Sequence, residues 1–148
     1  MRTLLFLCTG NYYRSRFAEH WFNALVQPQG LDWRADSRGL DVENCVNNTG
    51  AISPTAVARL AEFGVTCDAT RYPLQVQEQD LRHAALIIAL KEAEHRPYLS
   101  QRHPAWVDRI EYWHVHDGNP TPVYDPLQDI AAQVQRLIQR LVVVPRAI

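Results

Sequence analysis

Cysteine is scarce in this chain: there are three in 148 residues, at positions 8, 45 and 67, and no C-x-x-C pair. So few, in an odd number, exclude a secreted scaffold stapled by disulfides. An excess of charge of one sign is missing too. Fifteen basic residues face sixteen acidic ones, a net charge of -1, so no field steers the protein toward nucleic acid or an anionic membrane. Lysine is almost absent: Lys91 stands alone among arginines that are scattered rather than clustered. Long hydrophobic runs are lacking. The stretches Thr3–Cys8, Ala84–Leu90 and Leu141–Val144 fall far short of the ~20 residues a membrane helix needs. The N-terminal stretch also lacks the small-residue cleavage pattern of a signal peptide and reads as a buried strand. These absences lead us to expect a soluble protein of the reducing cytoplasm.

What is present is ordinary for a folded domain. Hydrophobic residues make up 47% and charged residues 21%, which excludes global disorder. The length fits one domain over residues 1–148. Thr3–Cys8 is continuously apolar, the mark of a strand covered on both faces. From Arg14 to about Val26 the apolar residues Phe17, Trp21 and Leu25 have helical spacing. Asp32–Ser37 is a weaker strand signal. Ser53 reads as a helix N-cap, Pro54 as the first turn and Gly64 as the stop. Ala84–Leu90 is a third strand, Lys91 to about Gln101 a helix, and Arg109–Val115 a fourth strand. Asp125-Pro126 opens a last helix with Ile130, Val134, Leu137, Ile138 and Leu141 on one stripe. Strands alternating with helices predict an α/β fold: a small doubly wound sheet of four parallel strands with helices on both faces. Such a sheet binds its ligand at the carboxyl ends of its strands.

That rule selects the loop after the first strand, Cys8-Thr9-Gly10-Asn11-Tyr12-Tyr13-Arg14-Ser15. Five residues separate Cys8 from Arg14, enough for the loop to curl with its N–H groups inward as a nest for a phosphate-like anion. The helix N-terminus adds further N–H groups and partial positive charge. Gly10 and Asn11 tolerate the positive φ that curling demands. Arg14 offers a planar fork matched to two phosphate oxygens. The same field favours the thiolate at Cys8, which then serves as nucleophile toward phosphorus, with Ser15 donating to the sulfur. The alternative for a lone strand cysteine is simple packing. The spacing and the strand–helix junction argue for chemistry.

C-T-G-N-x-x-R-S after an apolar N-terminal strand resembles the low-molecular-weight protein tyrosine phosphatase family. The resemblance extends through Ala35-Asp36-Ser37-Arg38-Gly39-Leu40, through Ile52-Ser53-Pro54 to Glu62-Phe63-Gly64-Val65, and through Tyr112-Trp113-His114-Val115-His116-Asp117. It implies phosphomonoester hydrolysis through a cysteinyl-phosphate, without metal or cofactor, on a phosphorylated protein or small aryl phosphate. Carried over by position, Cys8 matches the nucleophile and Arg14 the phosphate ligand. Asn11, Ser15 and Ser37 match the polar network under the loop, and Asp117 the general acid. Thr9, Gly10, Tyr12 and Tyr13 complete the substrate-binding loop. Asp125, followed by proline, is the rival acid, but its place before the last helical stripe reads as an N-cap.

Several positions depart from the family's pattern. Tyr13 stands where many members carry a second cysteine, so no resolving partner for Cys8 is expected there. Arg16 stands where proline is frequent. Glu43 and Asn44 fall where an aromatic often walls the pocket, and Gly118-Asn119-Pro120 follows Asp117 where aromatics are frequent. Tyr12 and Tyr13 are the candidate replacement walls. A related branch reduces arsenate with this loop and further cysteines, for which Cys45 and Cys67 are candidates by number only. An arginine phosphatase would carry Thr at Tyr12. A catalytically silent phosphate-binding module would lack the nucleophile, arginine or acid, all of which are kept. His114-x-His116 beside Asp117 shows no further metal-ligand cluster and reads as a polar strand end. Trp106 and Trp113 are candidates for exposed aromatic surface.

Overall fold

The computed structural model describes residues 1–142, so the last part of the Leu141–Val144 stretch lies outside them. The chain runs β1 (Arg2–Cys8), α1 (Arg14–Val26), β2 (Trp33–Gly39), α2 (Pro54–Glu62), α3 (Glu78–His83), β3 (Leu86–Ala89), α4 (Glu92–Arg102), β4 (Glu111–Tyr112) and α5 (Pro126–Val142). The four strands form one parallel sheet in the order β2-β1-β3-β4. From β1 the chain moves to β2 on one side and then crosses back past β1 to β3 on the other. The order therefore switches beside the carboxyl end of β1, where Cys8 pairs with Gly39.

Alternation along β1 explains the two cores. Leu4 and Phe6 point to one face and meet Phe17, Phe22, Leu60, Val134 and Leu137 from α1, α2 and α5. Leu5 and Leu7 point to the other and meet Leu81, Leu99, Trp106 and Ile110, with α3 and α4 covering that face. Both faces of β1 are thus dry, which is why its sequence is continuously apolar. The buried stripe of α5 holds Leu127, Ile130, Val134, Leu137 and Ile138, the spacing read from sequence. Ser53 Oγ accepts the Ala56 N–H at 3.5 Å, and Gly64 turns the chain with φ +77°.

Two expectations about the elements and their surface change. β4 is two residues long rather than spanning Arg109–Val115, because a 3-10 turn over Val107–Arg109 takes up its start. Trp113 and Val115 still donate to Ala89 and Leu90 carbonyls, so the path beyond β4 stays tied to β3. Trp106 and Trp113 are buried, 9% and 7% exposed, and pack into the two cores. α3 is an element that no apolar pattern in the sequence signals. Among the described residues no helix is long and apolar enough to cross a membrane.

Candidate active site

The loop curls because its carbonyls are claimed from outside. Cys8, Thr9 and Tyr12 carbonyls accept N–H groups of Leu40, Asp41 and Ser53 at 2.9, 3.0 and 2.9 Å. The N–H groups of Gly10, Asn11, Tyr12 and Tyr13 have no protein acceptor among the described residues, which suits an anion nest. Asn11 supplies the positive φ, 51°. Gly10 does not need one, contrary to expectation; its role is space. A Cβ there would lie 2.7 Å from Asn48 Nδ2 and 3.1 Å from Cys45 Sγ.

Beneath the loop the hydrogen bonds have a fixed direction. Asn11 Oδ1 accepts from Arg71 Nη1 and from the Leu74 N–H, both at 3.1 Å. Its Nδ2 therefore faces Ser15 Oγ and Ser37 Oγ, each at 2.9 Å. Ser15 Oγ, already accepting from Asn11, has its own hydrogen left for Cys8 Sγ, 3.0 Å away. Ser37 donates to Glu19 at 2.5 Å, and Arg71 donates to both Ser37 Oγ and Glu19 at 3.0 Å. Arg16, buried where proline is common, donates to the carbonyls of Ala51 and Arg71 and so holds the 71–74 segment against the loop. The sequence marks Arg16 only as a departure from the family's pattern, and it does not mark Glu19 or Arg71. Arg71 lies in a loop without periodicity, so no local pattern marks it.

Arg14 is 3% exposed. Its Nη1 donates to the Val115 carbonyl at 3.1 Å, its Nη2 to Glu94 Oε2 at 2.6 Å, and its Nε faces Asp117 Oδ1 at 3.5 Å. Asp117 is 65% exposed. Asp125 instead accepts the Leu127 and Gln128 N–H groups and pairs with Arg59 at 2.8 Å. It caps α5, while Asp117 overhangs the loop. Glu94, in the first turn of α4, is not marked by the sequence pattern.

Cys8, Thr9, Gly10, Tyr12, Tyr13, Arg14, Glu94 and Asp117 line one cavity of 280 Å³, closed on its far side by residues 44–48. Tyr12 Oη donates to the Thr49 carbonyl at 2.7 Å and so joins the loop to that far wall. Tyr13 lines the cavity but packs on the core. Burial, then Asp125 and Asp117, pushes its hydroxyl up to about 12, and that hydroxyl has no hydrogen-bond partner among the described residues. Cys45 is in the cavity wall, its thiol pushed up by burial and by Asp41. Cys67 packs instead against the α1/α5 core. His116 stacks edge-on against Tyr124 at 5.2 Å, and no His/Cys/Asp/Glu cluster able to hold a metal exists among the described residues.

The chain is 28% identical over 142 residues to an arsenate reductase of Brevibacillus brevis, covering 93% of this chain and 95% of that protein. It is 26% identical over 107 residues to a protein-arginine-phosphatase of Bacillus subtilis, covering 72% and 67%. Its structure superposes on the low molecular weight protein tyrosine phosphatase from T. tengcongensis with a TM-score of 0.79 at 28% identity, covering 95% and 99% of the two chains. Residues 3–143 match the family described as low molecular weight phosphotyrosine protein phosphatase, and this chain belongs to that family.

Proposed function

We propose that this enzyme hydrolyses phosphotyrosine in proteins through a cysteinyl-phosphate on Cys8. One observation carries the reading: Cys8, Arg14 and Asp117 face a single cavity at the carboxyl end of β1. Phosphate enters the nest of loop N–H groups and meets the Arg14 fork. The Cys8 thiolate, receiving the Ser15 hydrogen bond, attacks phosphorus in line with the leaving oxygen. The S–P bond forms as the P–O bond breaks, and Asp117 gives its proton to the departing phenolate, help worth ~10²–10⁴-fold. In the second half Asp117 takes a proton from water, which attacks phosphorus and returns the thiolate. Tyr12 is the aromatic wall, since Glu43 and Asn44 supply none.

The test is Cys8→Ser, which should abolish p-nitrophenyl phosphate hydrolysis with the fold intact, while wild type yields a trapped phosphocysteine. Substantial turnover by Cys8→Ser would sink the mechanism. Peptides bearing phosphotyrosine, phosphoserine or phosphoarginine, compared on one preparation, test the substrate class.

A second reading, arsenate reduction, is favoured by the place of Cys45 in the cavity wall. Cys8 would bond to arsenic as one arsenate oxygen leaves as water, and Cys45 would then attack the Cys8 sulfur. Arsenite would leave with the bonding pair, and the resulting disulfide would need an external dithiol. Arsenate turnover lost in Cys45→Ser would support it; no Cys8–Cys45 disulfide after arsenate treatment would exclude it.

A further inference from the structure

A phosphate fork is effective only when its plane is fixed before the anion arrives. In this chain Glu94, in the first turn of α4, meets that requirement. Its Oε2 accepts from Arg14 Nη2 at 2.6 Å and from the Thr9 hydroxyl, and lies 3.1 Å from His95 Nε2. His95 is fully buried, and its Nδ1 accepts the Lys91 N–H at 3.0 Å. The ring hydrogen therefore sits on Nε2 and points at Glu94 and at Thr9 Oγ1, also 3.1 Å away. Three donors, one from the loop's first corner, one from its last residue and one from α4, converge on a single carboxylate oxygen. Burial alone would raise the Glu94 carboxyl; the bonds from His95, Arg14 and Thr9 outweigh it and hold the group well below the usual carboxylate range.

An exposed ion pair adds little to a protein, but the Arg14 guanidinium is almost wholly buried and needs a standing counterion. The other carboxylate in reach is Asp117, which is exposed and 3.5 Å away. We propose that Glu94 is a positioning residue: held by His95 and Thr9, it fixes the plane of the Arg14 guanidinium for phosphate and leaves Asp117 free to serve the leaving group. The inference rests on Arg14 being the phosphate ligand. It divides two carboxylates by task, one a permanent partner of the arginine, the other exchangeable with substrate. Without Glu94, Asp117 becomes the one carboxylate beside Arg14 among the described residues and is drawn away from the leaving oxygen.

The test uses the full chain and inorganic phosphate as probe. Glu94→Gln keeps the shape but removes the charge. Competitive inhibition by phosphate should weaken, and kcat/KM for a phosphotyrosine peptide should fall, each by about 10- to 100-fold, the range for a hydrogen bond to a charged group. Both KM and kcat should move, whereas a purely structural role would lower Tm and leave phosphate inhibition of the folded protein unchanged. Glu94→Asp keeps the charge on a shorter stem that cannot meet all three donors, so it should fall between the two. If Glu94→Gln does not fold, Glu94→Asp decides alone. Phosphate inhibition within twofold of wild type in the folded variant overturns the inference. A wild type that neither hydrolyses the peptide nor binds phosphate overturns the phosphatase reading itself, and this inference with it.

Discussion

Asp117 Oδ1 lies 3.5 Å from Arg14 Nε, whereas Asp125 is held by Arg59 and the first N–H groups of α5. The two aspartates should therefore fail differently. Asp117→Asn should lower kcat for phosphotyrosine by ~10²-fold or more, and far less for p-nitrophenyl phosphate, whose leaving group scarcely needs a proton. Asp125→Ala should leave kcat near wild type and cost about 0.5–2 kcal/mol of stability through the lost cap. Urea melts and two-substrate kinetics on both variants check this. A stable but inactive Asp125→Ala beside an active Asp117→Asn would move the acid to Asp125.

Tyr12 is aligned by its hydroxyl bond to the Thr49 carbonyl. A ring stacked on an aryl leaving group is worth ~0.5–1.5 kcal/mol beyond its area. Tyr12→Ala should raise KM for aryl phosphates several-fold and change kcat less. Tyr12→Phe keeps the ring but frees it from residue 49, so its effect should be smaller. Equal losses on alkyl and aryl phosphates would show that the ring is not a wall.

How far the sequence could be read depended on how local each signal was. β1, α5 and the Cys8–Arg14 loop are legible because apolar run, helical stripe and spacing are all local patterns. α3 escaped because it has six residues and a single buried side chain, Leu81, too short for periodicity. Its start is fixed by a reciprocal bond between Gln77 and Asp80, not by an apolar stripe. The sequence overextends β4 because Ile110, Trp113 and Val115 are buried whether or not they pair as a strand. Cys8, Arg14, Asp117 and Asp125 are picked out by their positions in the chain. Glu94, His95 and Arg71 are not, since each acts on the loop from 60 to 86 residues away. A charged residue on a helix face looks the same in sequence whether it meets water or a buried guanidinium.

Tyr13 combines a buried ring edge with a hydroxyl that finds no partner among the described residues. Burial, aided by Asp125 and Asp117, raises that hydroxyl to about 12, so it stays neutral through the working range. Removing an unsatisfied buried hydroxyl relieves a desolvation penalty of about 1–3 kcal/mol, part of which returns on refilling the space. Tyr13→Phe should therefore be neutral or more stable than wild type, with kcat within about twofold. A clear destabilisation, or a large loss of kcat, would mean that the hydroxyl has a partner or a role in turnover.

His95 gives a stability signature with a definite sign. Its ring is buried against Glu94, Thr9 and Arg14. Burial and then the Arg14 charge disfavour the imidazolium, Glu94 favours it, and the balance lies below the ordinary histidine value. Protonation would also turn Nδ1 into a donor facing the Lys91 N–H that it now accepts. The unfolded chain therefore takes up the proton first. Stability from this group is complete above the unfolded value near pH ~6.5 and declines as pH falls below it, by at most about 1.4 kcal/mol per pH unit. His95→Gln loses that dependence, while His20, also lowered by burial, keeps its own in both proteins. Urea melts of wild type and His95→Gln at pH 8, 7, 6 and 5 should show wild type ahead at pH 8 and the gap narrowing below pH ~6.5. A gap that widens on acidification would mean that Glu94 wins over burial and that His95 is an imidazolium in the folded enzyme.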